Sequence, residues 1–158
     1  GSNFGELSSW LPQCNVAFNV LQSSEAYVIH ETWLSRYGDL YDTEVKERIE
    51  RGARWTREDV AAAEKIREQI RAWFAAYFEH NDFLAMPVCP GPSIAPEAAT
   101  PDLREKTLKL TGPASLAGLP VLTLPVWLDA ERSVGMQCIF KNVDARVPLA
   151  LLDRCENT

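Results

Sequence analysis

The segment TGPASLAGLPVLTLPV, residues 111–126, constrains the fold more than any other part of the chain. Small residues lead to Gly118, and Pro120 then opens an almost unbroken apolar stretch. A second apolar segment, SVGMQCIF at residues 133–140, follows after a polar turn, so the pair predicts a β-hairpin. Both strands are apolar on both faces, which is typical of strands buried inside a sheet.

A third strand is predicted from Phe83 to Val88, just before a loop with prolines at 87, 90, 92 and 96. Prolines at this density exclude continued helix and indicate a stiff, extended loop. Three strands make a thin sheet for a hairpin that needs cover on both sides. The chain is therefore interpreted as part of a larger sheet.

Helical periodicity accounts for most of the remaining chain. Apolar residues at spacings near three, four and seven predict helices over residues 13–37, 42–51 and 57–79. The third has Thr56 as N-cap with Asp59 three residues on, and its wide aromatic face is predicted to be core. Short helical turns are predicted at 103–110 and 114–117, and a last helix at 144–155.

These elements predict an α/β chain with about three strands and four to six helices, in a single unit spanning residues 1–158. Residues 1–12 show little pattern and are predicted to be an irregular lead-in that includes a tag remnant.

Composition and charge exclude several classes of function. A formal net charge of -6 argues against a nucleic-acid partner, because such binding depends on neutralising phosphates. No apolar segment approaches the length of a membrane span. Four cysteines and two histidines are scattered, so no metal site is predicted. The cysteines are interpreted as mostly buried, reduced thiols of a cytoplasmic protein.

One pair of residues could carry chemistry by itself. Cys89 follows a predicted strand, and with His30 it would form a cysteine–histidine nucleophile pair. No cationic or helix N-terminal setting that would ionise the thiol is visible, so Cys89 is interpreted as a small buried thiol. His30 is interpreted as a hydrogen-bonded histidine of the core or its rim.

The hairpin block resembles the C-terminal region of the amidase signature hydrolases. That family has a strand of the form D-x-L-x-x-P, a proline-rich loop, a G-L-P hairpin, a V-G-L-Q partner strand and a leucine-rich last helix. The corresponding segments stand here in the same order, at residues 82–87, 90–96, 111–125, 134–137 and 149–154. Glu25 and His30 also fall where the family commonly has an E-A helix and a nearby histidine. Ser115 departs from the pattern, since asparagine is frequent there.

The resemblance implies a large mixed sheet covered by helices and hydrolysis of carboxamides by a Ser–Ser–Lys triad, without cofactor or metal. The family carries its bridging serine in a G-G-S-S-G-G stretch near the N-terminal side, where its catalytic lysine also lies. Neither serine pair of this chain has flanking glycines, and no lysine stands at a matching position. No catalytic residue is therefore assigned. The resemblance implies that Pro87, Val88 and Cys89 form part of a substrate-pocket wall.

We therefore expect the C-terminal portion of an amidase, inactive alone, whose small-molecule amide substrate is bound by the complete enzyme. The alternative is a non-catalytic module that self-associates or pairs with a separate N-terminal amidase chain. The aminoacyl-tRNA amidotransferase branch of the same family is a further alternative.

Overall fold

The computed structural model describes residues 2–92, 94 and 100–147. These ranges contain four α-helices, namely α1 (Ser2–Tyr37), α2 (Thr43–Glu50), α3 (Arg57–Tyr77) and α4 (Pro101–Ala117), with 3₁₀-helices at Gly38–Leu40 and Arg51–Arg54. Three strands, β1 (Phe83–Pro87), β2 (Val121–Trp127) and β3 (Ser133–Phe140), form one antiparallel sheet in the order β1-β3-β2. The predicted α/β class is confirmed.

Helix α1 is longer than the sequence predicted. It begins at Ser2, so the prediction of an irregular segment over residues 1–12 is wrong wherever the chain is described. Leu7 and Cys14, about two turns apart on one face, are only 1% and 0% exposed. Pro12 lies inside the helix and cannot donate the usual backbone hydrogen bond. Burial of this face compensates for that loss, so the helix continues past Pro12.

Helices α2 and α3 both begin at capping side chains, and the cap of α3 is the predicted one. The Asp42 carboxylate accepts a hydrogen bond from the Val45 amide at 3.1 Å. Thr56 and Asp59 form a reciprocal capping box, in which the Thr56 hydroxyl accepts from the Asp59 amide and the Asp59 carboxylate accepts from the Thr56 amide. Because these bonds favour the ionised carboxylate, they hold the pKa of Asp59 below its usual range.

The aromatic face of α3 is core, as predicted. Ile70 and Phe74 are almost fully buried, and the Phe74 and Phe78 rings stack with centroids 5.9 Å apart. The same cluster contains residues of α1, α4, β1 and β3, including Leu84 and Ile139. The core therefore lies between three helices and one face of the sheet.

Helix α4 replaces the two short helical turns predicted at 103–110 and 114–117. It runs without interruption from Pro101 to Ala117, although Gly112 and Pro113 lie inside it. Both are buried, so packing decides the conformation over the weak local propensity of this pair. The helix ends at Gly118, whose φ of 72° is the left-handed conformation expected of a glycine cap.

The predicted hairpin is confirmed, but its two strands are buried very differently. Strand β3 is central, and its last four residues, Gln137 to Phe140, are buried. Strand β2 lies at the edge, with Val121, Val126 and Trp127 more than 40% exposed. Within the described residues, the expectation of double-sided burial is therefore right for the end of β3 and wrong for β2.

The helix predicted at 144–155 lies mostly outside the described residues. Asp144 is in a turn, and residues 145–147 have no regular structure.

Candidate functional site

The predicted pocket wall lies where β1 leaves the sheet. The Val88 amide donates to the Gly135 carbonyl at 2.9 Å, which extends the pairing of β1 with β3 by one residue. The next residue, Cys89, donates its thiol hydrogen to the Gly91 carbonyl at 2.8 Å. Backbone and side-chain bonds therefore fix the segment Pro87–Cys89, as a surface that positions a ligand requires.

Gln137 anchors this wall, and the sequence analysis did not single it out. Its side-chain amide is 1% exposed and donates to the Pro87 carbonyl at 3.2 Å and to the Leu110 carbonyl at 3.0 Å. It thus joins β3 to the end of β1 and to α4. The sequence did carry a signal for this role. Gln137 is a polar residue within the apolar segment SVGMQCIF, and a polar side chain that is buried needs hydrogen-bond partners.

A cavity of about 430 Å³, which we call the Glu25 cavity, gathers several other residues that the sequence analysis named. Glu25 and His30 line it from α1, Ser115 from α4 and Arg67 from α3. Pro87, Val88 and Cys89 do not line this cavity, so the structure separates the predicted wall from the Glu25–His30 face.

Arg67 is the positively charged residue that lines the Glu25 cavity. Arg67 pairs with Glu64 at 2.6 Å and lies 3.8 Å from Glu25. Its Nε is buried and has no hydrogen-bond partner among the described residues. One N–H donor of Arg67 is therefore buried without an acceptor in the described part of the chain.

The structure forms no activated nucleophile from these side chains. His30 Nδ1 bonds to the Tyr41 hydroxyl at 2.8 Å, and its ring packs edge-on against Trp33 and Tyr41. Within the described part of the chain, neither Ser115 nor Cys89 makes a hydrogen bond to His30. The interpretation of His30 as a hydrogen-bonded rim histidine is confirmed.

Metal-ligating groups are equally dispersed. Across the ranges that the structure describes, no three histidine, cysteine or acidic side chains are grouped as a metal ion requires. None of the described helices combines the length and apolarity needed to cross a bilayer.

The cysteines differ in environment, and this predicts their reactivity. Burial raises the pKa of the Cys14 thiol to about 11, so about one molecule in a thousand is thiolate near pH 8. Cys138 is 1% exposed, whereas Cys89 is half-buried. Among the three cysteines that the structure describes, we expect iodoacetamide to label Cys89 first and to reach Cys14 and Cys138 only after unfolding, as peptide mass spectrometry can measure. Labelling of Cys14 as fast as Cys89 would contradict the fold around α1.

Solved structures define the class to which this fold belongs. A solved amidase superposes on 85% of this chain and 33% of its own with a TM-score of 0.74 and 27% sequence identity. A bacterial aryl acylamidase of the amidase signature family shares the fold over 84% of this chain, with a TM-score of 0.63 at 16% identity. The arrangement of helices and sheet therefore matches part of the amidase fold.

The family model "Amidase" matches residues 8–146, and the chain belongs to the amidase family. One subunit of the glutamyl-tRNA(Gln) amidotransferase of Gluconobacter oxydans is 35% identical over 91 residues, which are 56% of this chain and 18% of that protein. The corresponding subunit of Staphylococcus carnosus is 29% identical over 131 residues, 78% of this chain and 27% of that protein. The chain thus spans about a fifth to a quarter of the length of these relatives.

Proposed function

We propose that the chain is the C-terminal portion of an amidase that hydrolyses a small carboxamide. In the complete enzyme a serine, activated through a second serine by a neutral lysine, would attack the amide carbonyl and release ammonia or an amine. Water would then hydrolyse the acyl-enzyme. The triad would lie on polypeptide outside this chain, which alone would be inactive. A pocket wall at Pro87, Val88 and Cys89 remains part of the proposal.

The exposed edge of the sheet is the observation that carries this proposal. Strand β2 has β3 on one side and no strand on the other within the described residues. Its sequence is that of an interior strand, yet Val126, Trp127 and the following Leu128 are 41%, 44% and 55% exposed. Apolar strands at an open edge are sites for pairing with further strands. A solved amidase about three times as long as the matched region has polypeptide to supply them.

The chemistry of the described side chains supports the same conclusion. Ser8, Ser23 and Ser24 donate their hydroxyls to carbonyls of their own helix, at 2.6 to 2.8 Å. Such bonds leave these serines without the adjacent base that a nucleophile needs. The order of the sequence segments, from the D-x-L-x-x-P strand to the hairpin, favours a C-terminal position.

Two observations test the proposal. The reading frame upstream of residue 3 should encode a glycine- and serine-rich stretch and a lysine on its N-terminal side. The isolated chain should show no turnover of simple carboxamides such as acetamide or benzamide. Turnover that disappears in Cys89→Ala, with Cys138→Ala as the matched control, would overturn the proposal in favour of thiol chemistry.

A non-catalytic interaction module is the second candidate. It is favoured by exposed apolar residues on the outer part of α1, where Val28, Ile29 and Trp33 are 77%, 64% and 53% exposed. Light scattering of the purified chain at increasing concentration should then show association, or a stable complex with a separate N-terminal amidase chain. A strictly monomeric, non-pairing chain would exclude this candidate.

The amidotransferase branch is favoured by the names of the curated relatives, which are subunits of glutamyl-tRNA(Gln) amidotransferases. Glutamine-dependent formation of amidated aminoacyl-tRNA by the complete protein with its partner subunits would support this branch. Turnover of simple amides alone would support the first proposal. Either branch is proposed to work in the cytoplasm.

A further inference from the structure

A second cavity, of about 230 Å³, lies between α1, α2 and the 3₁₀-helix Arg51–Arg54. We call it the arginine cavity, because three guanidinium groups line it. Arg48 comes from α2, Arg51 from the 3₁₀-helix and Arg104 from the first turn of α4. Residues from distant parts of the sequence therefore place three positive charges around one concave surface, in a chain whose net charge is -6.

These arginines are not neutralised by ion pairs. Within the described ranges, no carboxylate lies in salt-bridge distance of Arg48, Arg51 or Arg104. In contrast, Arg67 and Arg132 each hold a carboxylate at 2.6 Å. Arg48 donates Nε to the Glu44 carbonyl at 3.1 Å, which fixes its position in α2 without matching its charge.

The electrostatic environment of Arg104 confirms that the charges act on one another. Partial desolvation lowers the pKa of its guanidinium, and the positive charges of Arg48 and Arg51 lower it further, while Glu44 opposes them. An anion that binds between two neighbouring positive charges is attracted by both and offsets their mutual repulsion. Binding of an anion in the arginine cavity would therefore reduce the repulsion between these positive charges.

The remaining walls are ordered and suit a small ligand. The Trp55 indole donates to the Ser23 hydroxyl at 2.7 Å, and that hydroxyl donates to the Asn19 carbonyl at 2.6 Å. These bonds tie the Trp55 wall to α1. Gln22 adds a side-chain amide, and apolar cover comes from Ala26, Val45 and Ile49. A ligand with an anionic head and a small apolar body fits this combination of walls.

We propose that the arginine cavity binds a small oxyanion, a carboxylate or a phosphate, between Arg48, Arg51 and Arg104. Guanidinium groups bind both anions by paired N–H donors, and this accounts for arginine in all three positions. The site goes beyond the proposed amide hydrolysis, because none of its residues belongs to the predicted pocket wall. Its ligand would act as an effector or as a fixed structural anion.

Calorimetric titration of the full chain with sodium phosphate and with sodium benzoate tests this inference, with sodium chloride as the ionic-strength control. We expect saturable binding of at least one oxyanion, none of chloride, and shifts of the Arg48, Arg51 and Arg104 Nε–H signals by NMR. Arg104→Gln should weaken binding about tenfold or more, because a charge-assisted hydrogen bond is lost. Arg57→Gln, which removes the same charge from the exposed start of α3, should leave binding unchanged.

The pattern of outcomes identifies the ligand or removes the site. Benzoate alone would assign a carboxylate ligand, and phosphate alone a phosphate-bearing one. Arg51→Gln serves as the second variant if Arg104→Gln fails to fold, as circular dichroism would reveal. No saturable binding, or equal weakening in Arg57→Gln, would overturn the inference. None of these results depends on whether the complete enzyme hydrolyses amides.

Discussion

Gly52→Ala is expected to lower the melting temperature of the chain by about 10 °C, the effect of about 3 kcal/mol in a domain of this size. Gly52 lies in the 3₁₀-helix Arg51–Arg54, packed directly on α1. An added Cβ would overlap the Ser23 carbonyl oxygen and lie 2.6 Å from both the Ser23 carbonyl carbon and the Tyr27 Cβ. Backbone atoms cannot rotate away, so the two elements must separate.

Gly112→Ala is the matched control for this substitution. Gly112 is also buried, but an added Cβ there would meet nothing within 4 Å. Because alanine favours helix over glycine, the variant should keep or slightly raise the melting temperature. Thermal unfolding by circular dichroism compares the two variants. Equal melting temperatures would contradict the close approach of the 3₁₀-helix to α1.

Gln137→Met is expected to destabilise the chain by about 3 kcal/mol, although methionine fills a similar volume. The substitution removes both hydrogen bonds of the buried amide, so the Pro87 and Leu110 carbonyls each lose a donor. A buried polar group left without its partner is strongly unfavourable. Chemical denaturation measures the loss. Gln69→Met, on the exposed face of α3, is the control and should change stability little.

The same variant also tests the pocket wall. Loss of the Gln137 bond to Pro87 should loosen the end of β1, so the Val88 amide should exchange its hydrogen faster than in the parent chain. Hydrogen exchange of amides in the middle of α3 should change only as far as the global stability of the chain changes. Unchanged exchange at Val88 would mean that Gln137 does not anchor Pro87, Val88 and Cys89.

Features carried by local signals were predicted well. The capping box at Thr56 and Asp59 and the hairpin ending at Phe140 each depend on a few neighbouring residues. Their geometry follows from side-chain type and spacing alone. The start of α1 and the unbroken course of α4 were missed, since buried contacts there override Pro12 and Pro113.

Features assembled across the chain could not be predicted. Arg48, Arg51 and Arg104 stand on three different elements, and their sequence segments look like ordinary charged helix faces. Burial of Gln137 depends on carbonyls from two other elements. The sequence predicted a piece of a larger sheet, but it could not indicate that β2 forms the open edge, because an apolar strand has the same sequence whether its neighbour is present or not.

Pro125 in strand β2 has a consequence for how the chain behaves at high concentration. Proline has no amide hydrogen, and it divides the row of backbone groups that this strand presents at its outer side. A strand of a second molecule that paired with β2 would form two short runs of backbone hydrogen bonds in place of one continuous run. Pro125 therefore disfavours uninterrupted backbone pairing of a second molecule along this strand.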